Sequence, residues 1–121
     1  MRTLKFIIAA ILAVVMGITS IAQTHGHSKM AATKTETFKV WGNCEMCKAR
    51  IEKAAKINGV SKAEWNDDTK LLALVYDSSK VKSDDVQKKV AAVGHDTEKF
   101  KADDKVYSSL PGCCKYERRS N

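Results

Sequence analysis

The run Gly42-Asn43-Cys44-Glu45-Met46-Cys47-Lys48-Ala49-Arg50-Ile51 sets two cysteines three positions apart, where a strand-like segment gives way to a helix-like one. Upstream, residues 35–41 alternate, with Phe38 and Val40 on one side and Thr37, Lys39 and Trp41 on the other, the pattern of a half-buried strand. Downstream, Cys47, Ile51, Ala54, Ala55 and Ile57 recur at helical spacing, and Asn58-Gly59 supplies a left-handed cap. At such a junction the thiols face unpaired N–H groups at the positive end of a helix, which favours thiolate over thiol. Two thiolates held this way can clamp one soft metal ion or close into a disulfide.

Reading outward completes a β-α-β-β-α-β order. Residues 60–65 form a strand with Val60, Ala63 and Trp65 as its apolar positions, residues 66–69 a turn, and residues 70–76 the second arm of a hairpin. Ser83 caps a second helix that carries Asp84 and Asp85 in its first turn and buries Val86, Val90 and Val93, and Gly94 ends it. Residues 96–101 make a last short strand around Phe100. The fold class is α+β, a ferredoxin-like sandwich of two helices on one face of a four-stranded antiparallel sheet.

The flanks differ in kind from this unit. Residues 1–22 combine a basic start (Arg2, Lys5), an apolar run from Phe6 to Met16 and the small-residue ending Ser20-Ile21-Ala22. That is the pattern of a signal peptide cleaved near Ala22, which predicts export to the periplasm. The run is shorter than the ~20 apolar residues a membrane span needs, so no stable span is expected after cleavage. Residues 23–34 read as a flexible arm, residues 35–101 as the domain, and residues 102–121 as a separate tail holding Pro111 and the vicinal pair Cys113-Cys114. The net charge is +7, but residues 35–101 balance 13 Lys/Arg against 11 Asp/Glu. A basic stripe with interleaved aromatics is missing, which excludes nucleic-acid binding. A monomer is expected.

Four cysteines in a short exported chain suggest a disulfide framework, yet here they fall in two tight pairs, which points to chemistry. Two thiolates with no fixed further ligand suit a soft ion of low coordination number, Cu(I) first and Hg(II) second. Structural Zn(II) wants four ligands and needs Cys113 and Cys114 to fold back. Adjacent cysteines do not form a relaxed disulfide with each other. Cys113 and Cys114 therefore stand as a second metal pair, a resolving partner for Cys44/Cys47, a link to another chain, or part of a tail curled against the sheet.

Over residues 35–101 the chain resembles the heavy-metal-associated domain family, which includes copper metallochaperones, metal-binding domains of copper-transporting ATPases and the periplasmic mercury-binding protein. The resemblance rests on strand, Gly42-x-Cys44-x-x-Cys47, helix, Gly59-Val60, hairpin, helix and the Gly94-His95-Asp96 loop, in that order. It implies that Cys44 and Cys47 ligate the metal, that the chain is not an enzyme, and that its partner is a metal-transport or metal-accepting protein with exposed cysteines. Two positions depart from the copper members: Gly42 stands where they usually carry Met, and His95 where they carry an aromatic residue. The family fold puts the His95 loop beside the metal loop, so His95 is a candidate third ligand. The rival reading is a dithiol-disulfide oxidoreductase with Cys44 as nucleophile.

Smaller expectations follow from the same residues. Met46 packs under the loop or, as the lesser alternative, serves as a thioether ligand, and Lys48 and Arg50 either hold thiolate charge or lie in solvent. Serine at both Cys44 and Cys47 abolishes Cu(I) binding with little change in apo stability. After cleavage, Gln23-Thr24-His25 would offer an amine, amides and an imidazole to Cu(II).

Overall fold

The computed structural model describes residues 32–121, so the signal segment, most of the arm and Gln23-Thr24-His25 lie outside the described residues. Strands β1 (Thr33–Lys39), β2 (Val60–Trp65) and β3 (Leu71–Asp77) form an antiparallel sheet in the order β1-β3-β2. Helices α1 (Glu45–Ala55) and α2 (Ser83–Ala92) pack against each other, followed by a short α3 (Asp104–Ser108) and a 3-10 turn (Gly112–Cys114). Alternation along β3 buries Leu72, Leu74 and Tyr76. Opposite them, Phe38 pairs Leu72 from β1, while Ala63 pairs Leu74 and Trp65 pairs Leu72 from β2, so one sheet face is continuously apolar. Cys47, Ile51 and Ala55 of α1 and Val86 and Val90 of α2 close over it. The valine, leucine, isoleucine and phenylalanine side chains among these each contribute about 1.5–3 kcal/mol on full burial.

The turn between β2 and β3 is built by Asn66, whose Oδ1 accepts from the N–H groups of Asp68 (2.8 Å) and Thr69 (2.9 Å). Gly59, after α1, has φ +98° and sits where a Cβ would lie 2.8 Å from Val81 Cγ1, so both conformation and space require glycine. Ser83 is the first residue of α2 and not its cap. Lys82 holds the N-cap position, its N–H donating to Asp85 Oδ2 at 3.2 Å, and the Ser83 hydroxyl is buried with no partner among the described residues. The Asp85 carboxylate thereby makes the return bond of a capping box, accepting from the N–H of the N-cap residue.

The fourth strand expected at residues 96–101 is reduced to one antiparallel bridge, Val40 to Thr97, beside the three-stranded sheet. Bonds from Trp41 N–H to Asp96 O (2.9 Å) and from Glu98 N–H to Lys39 O (3.1 Å) flank it. Beyond that point Thr97 and Phe100 close a tight turn on each other, Thr97 N–H donating to Phe100 O and Phe100 N–H to Thr97 Oγ1. The buried Asp96 carboxylate draws in the Ala102 N–H at 2.7 Å. These local bonds outcompete strand pairing, which explains why the segment around Phe100 gives a bridge and not a strand.

Residues 102–121 are not detached. Leu110, Cys114 and Tyr116 are buried against the core, with Leu110 packed over Gly94. Tyr116 OH donates to Gly94 O (2.6 Å) and accepts from Asp96 N–H (2.9 Å), and its ring stacks on His95. Arg118 then grips Asp96 through Nη2 (2.7 Å) and Nε (3.1 Å) and reaches Asp104 through Nη1 (2.6 Å). The described residues contain no helix long and apolar enough to cross a membrane.

Candidate metal centre

Cys44 occupies the N-cap of α1 in extended backbone (φ −141°, ψ 177°), Cys47 lies in the first helical turn, and the 3-10 turn of the tail delivers Cys114 to them. Cys44 Sγ is 3.6 Å from Cys47 Sγ and 3.6 Å from Cys114 Sγ, and the three sulfurs all lie within 4.8 Å of one another. Cys47 and Cys114 are fully buried and Cys44 is half-buried. All four cysteines, including the exposed Cys113, are free thiols.

Position on the helix separates their chemistry. The Cys44 sulfur makes no formal capping hydrogen bond, yet the Cys47 backbone N–H lowers its pKa to about 7, with smaller help from the neighbouring thiols, against a burial penalty. Near neutral pH about half of it is therefore thiolate. Burial pushes Cys47 up to about 12. Cys113 is raised to about 11, chiefly by Cys44 and then Cys114. One half-buried, easily ionised thiol stands beside one fully buried thiol held protonated.

The surrounding side chains only partly match expectation. Arg50 Nη1 donates to Cys114 Sγ at 3.3 Å, so a guanidinium faces the cluster from the third cysteine's side. Lys48 turns away to Trp65 O (2.7 Å) and Glu52 (3.0 Å) and does not serve the thiols. Met46 does not pack beneath the loop. It is 52% exposed and lies 3.5 Å from Cys113 Sγ, because its place at the start of α1 points outward while Cys47 takes the inward one. Gly42 has a local cause: a Cβ there would come within 3.1 Å of the Trp65 ring and 3.2 Å of Cys47 Cβ. The indole occupies the space a methionine would need.

His95 is completely buried and does not join the three-sulfur group. Its Nδ1 lies 2.9 Å from Trp41 O. A carbonyl only accepts, so Nδ1 carries the proton and Nε2 is left to accept from Arg50 Nη1 at 3.5 Å. His95 thus backs Arg50, which in turn backs Cys114. Burial lowers the His95 pKa, outweighing the Trp41 carbonyl. The unfolded chain takes up this proton first, so the histidine's contribution to stability is complete above ~6.5 and is lost as pH falls below it. The urea midpoint of the apo protein is expected to drop from pH 7 to pH 5, and the drop should be smaller in His95→Phe. An equal slope in both would show that His95 does not titrate with unfolding.

Neither a family model nor a curated protein matches this chain, but solved structures do. The CopZ metallochaperone is 30% identical over 53% of this chain and 98% of its own, with a TM-score of 0.51. Oxidized MerP from Ralstonia metallidurans CH34 is 30% identical over 55% of this chain and 96% of its own, with a TM-score of 0.52. The chain belongs to the heavy-metal-associated domain family. A further match is the N-terminal domain of a potential copper-translocating P-type ATPase from Bacillus subtilis in its Cu(I)-loaded state, 28% identical over 54% of this chain and 84% of that one, with a TM-score of 0.51. These heavy-metal-associated neighbours are metal-binding domains and not enzymes, and a soft-metal role fits the cysteine cluster. What sequence reasoning missed at this site is the second layer. No spacing rule links Asp96, Tyr116 and Arg118, whereas Arg50 was already a candidate to hold thiolate charge, and only the vicinal cysteines hinted that the tail takes part.

Proposed function

We propose that this chain is an exported soft-metal carrier. It holds Cu(I), with Hg(II) as second choice, through Cys44 and Cys47 with Cys114 as third ligand, and buffers the ion or passes it to a metal-transport protein with exposed cysteines. The observation that carries this reading is the convergence of three sulfurs from two distant parts of the chain. A metal–sulfur bond of ~2.3 Å sets the ligands of a trigonal centre ~4 Å apart, and the 3.6 Å separations need only slight expansion to reach that. Thiolates select soft ions, whereas Zn(II) would want a fourth ligand that the buried group does not contain. Export rests on the sequence of residues 1–22.

Transfer begins at the more exposed sulfur. A partner thiolate bonds to the ion as the Cys44 bond breaks, Cys44 takes up a proton, and the ion keeps its oxidation state. The split between Cys44, near 7, and the buried Cys47, near 12, also favours a second reading. A dithiol oxidoreductase needs such a nucleophile and resolving thiol. Anaerobic titration of the reduced protein with Cu(I) against a coloured chelator, run beside an insulin-reduction assay, separates the two. Tight binding of at least one equivalent without turnover is expected. Turnover without tight binding would overturn the metal reading.

A further inference from the structure

Outside the buried trio the chain carries two more soft donors that the proposed site leaves unused. Cys113 Sγ lies 3.5 Å from Met46 Sδ and 3.9 Å from Cys114 Sγ, and both Cys113 and Met46 are exposed. These donors come from different elements, the first turn of α1 and the 3-10 turn of the tail, so chain adjacency does not explain why they meet. We infer that Cys113, Met46 and a bridging Cys114 thiolate form a second, outer soft-metal position, taking Cu(I) or an ion of the same class beside the inner one.

Geometry separates this position from a single four-thiolate centre. A tetrahedral ion with ~2.3 Å bonds needs every sulfur pair ~3.8 Å apart. Cys113 falls outside the group of mutually close sulfurs formed by Cys44, Cys47 and Cys114. The Met46 thioether at 3.5 Å and the Cys114 thiol at 3.9 Å instead stand at separations that fit two or three soft ligands on one ion. Thiolate and thioether donors together select Cu(I) over harder divalent ions. Cys113 releases its proton to solvent as it binds, and Cys114 shares its sulfur between the two ions. Exposure orders the positions: Cys113 and Met46 are open to solvent, whereas two of the three inner sulfurs, those of Cys47 and Cys114, are fully buried.

The inference rests on the proposed inner site, and counting ions separates the two. Anaerobic Cu(I) titration of the reduced chain, followed by native mass spectrometry of the monomer peak, should show two ions per chain. Cys113→Ser should show one, with the first equivalent's affinity unchanged within about threefold, which is about 0.65 kcal/mol. Met46→Leu keeps volume at an exposed position and should also lose the second mass increment or require more copper to show it. A parent that stops at one ion overturns the outer position and leaves the inner reading intact, as does a Cys113→Ser variant that still holds two. A parent that holds none overturns the inner reading itself.

Discussion

Changing Cys44 to Ser and Cys47 to Ala together is expected to lower Cu(I) affinity by ~10⁴-fold or more. Structural metal sites bind with ~10–16 kcal/mol from about four ligands, which puts each thiolate at ~2.5–4 kcal/mol, and 1.4 kcal/mol is tenfold. The outcome is read by competition with a strong Cu(I) chelator. A double variant that competes as well as the parent would move the site elsewhere. Alanine is the better choice at Cys47. That sulfur is fully buried among Ile51, Trp65 and the sheet, so a serine hydroxyl there has to be desolvated, at about 1–3 kcal/mol. Sequence reasoning expected both positions to be neutral for apo stability. The structure supports that for Cys44 and corrects it for Cys47, which belongs to the core.

Arg118→Met is expected to be the most damaging single change outside the sulfur cluster. Asp96 is wholly buried and Arg118 is 17% exposed, and two guanidinium nitrogens meet the two carboxylate oxygens. Removing one partner of such a pair costs about 3–5 kcal/mol because the other charge stays buried. For a domain of this size that lowers Tm by more than ~10 °C. Burial alone would raise the Asp96 pKa, but Arg118 and the Ala102 N–H hold it below the usual carboxylate range. The parent's share of this stability is therefore present above ~3.9 and is lost as pH falls through the folded value. Asp96→Asn combined with Arg118→Met should recover part of the loss, since neither charge is then stranded. Because Arg118 follows Cys114 closely in the tail, the single variant should also weaken Cu(I) binding while the double-cysteine variant stays weaker still. A Tm within about 2 °C of the parent, or less than ~0.5 kcal/mol, would show that the tail is not held by this pair.

The legible and illegible parts of this protein divide by the range of the interactions. Helix α1, hairpin β2–β3 and helix α2 are each written in consecutive residues, through the periodicity of Ile51 and Ala55, the Asn66 turn and the valine stripe. Cys44 and Cys47 were legible for the same reason, as a motif within one turn. The segment from 96 to 101 was misread because its fate depends on Ala102, Tyr116 and Arg118, none of which a local pattern connects to Asp96. His95 looked like a loop histidine and proved to be a buried strut, since the Tyr116 ring that covers it comes from the tail. Cys114 carried a motif but no address. Its distance from Cys44 is 70 positions, which spacing rules do not span.

That separation has a consequence for what an ion does to the chain. Joining Cys44 to Cys114 through one metal closes a loop of 70 positions. By the chain-entropy account of cross-links this removes about 4 kcal/mol of freedom from the unfolded state. Cargo and fastener are then the same object. On the proposed function the loaded protein would carry its tail stitched down, and the empty one would hold it by Leu110, Tyr116 and Arg118 without the ion. If the proposed transfer holds, a recipient that draws the ion out would cut that stitch in the same act, so the donor left behind would differ from the loaded form in how readily its tail lifts, and delivery would leave a mechanical mark on the carrier as well as a chemical one.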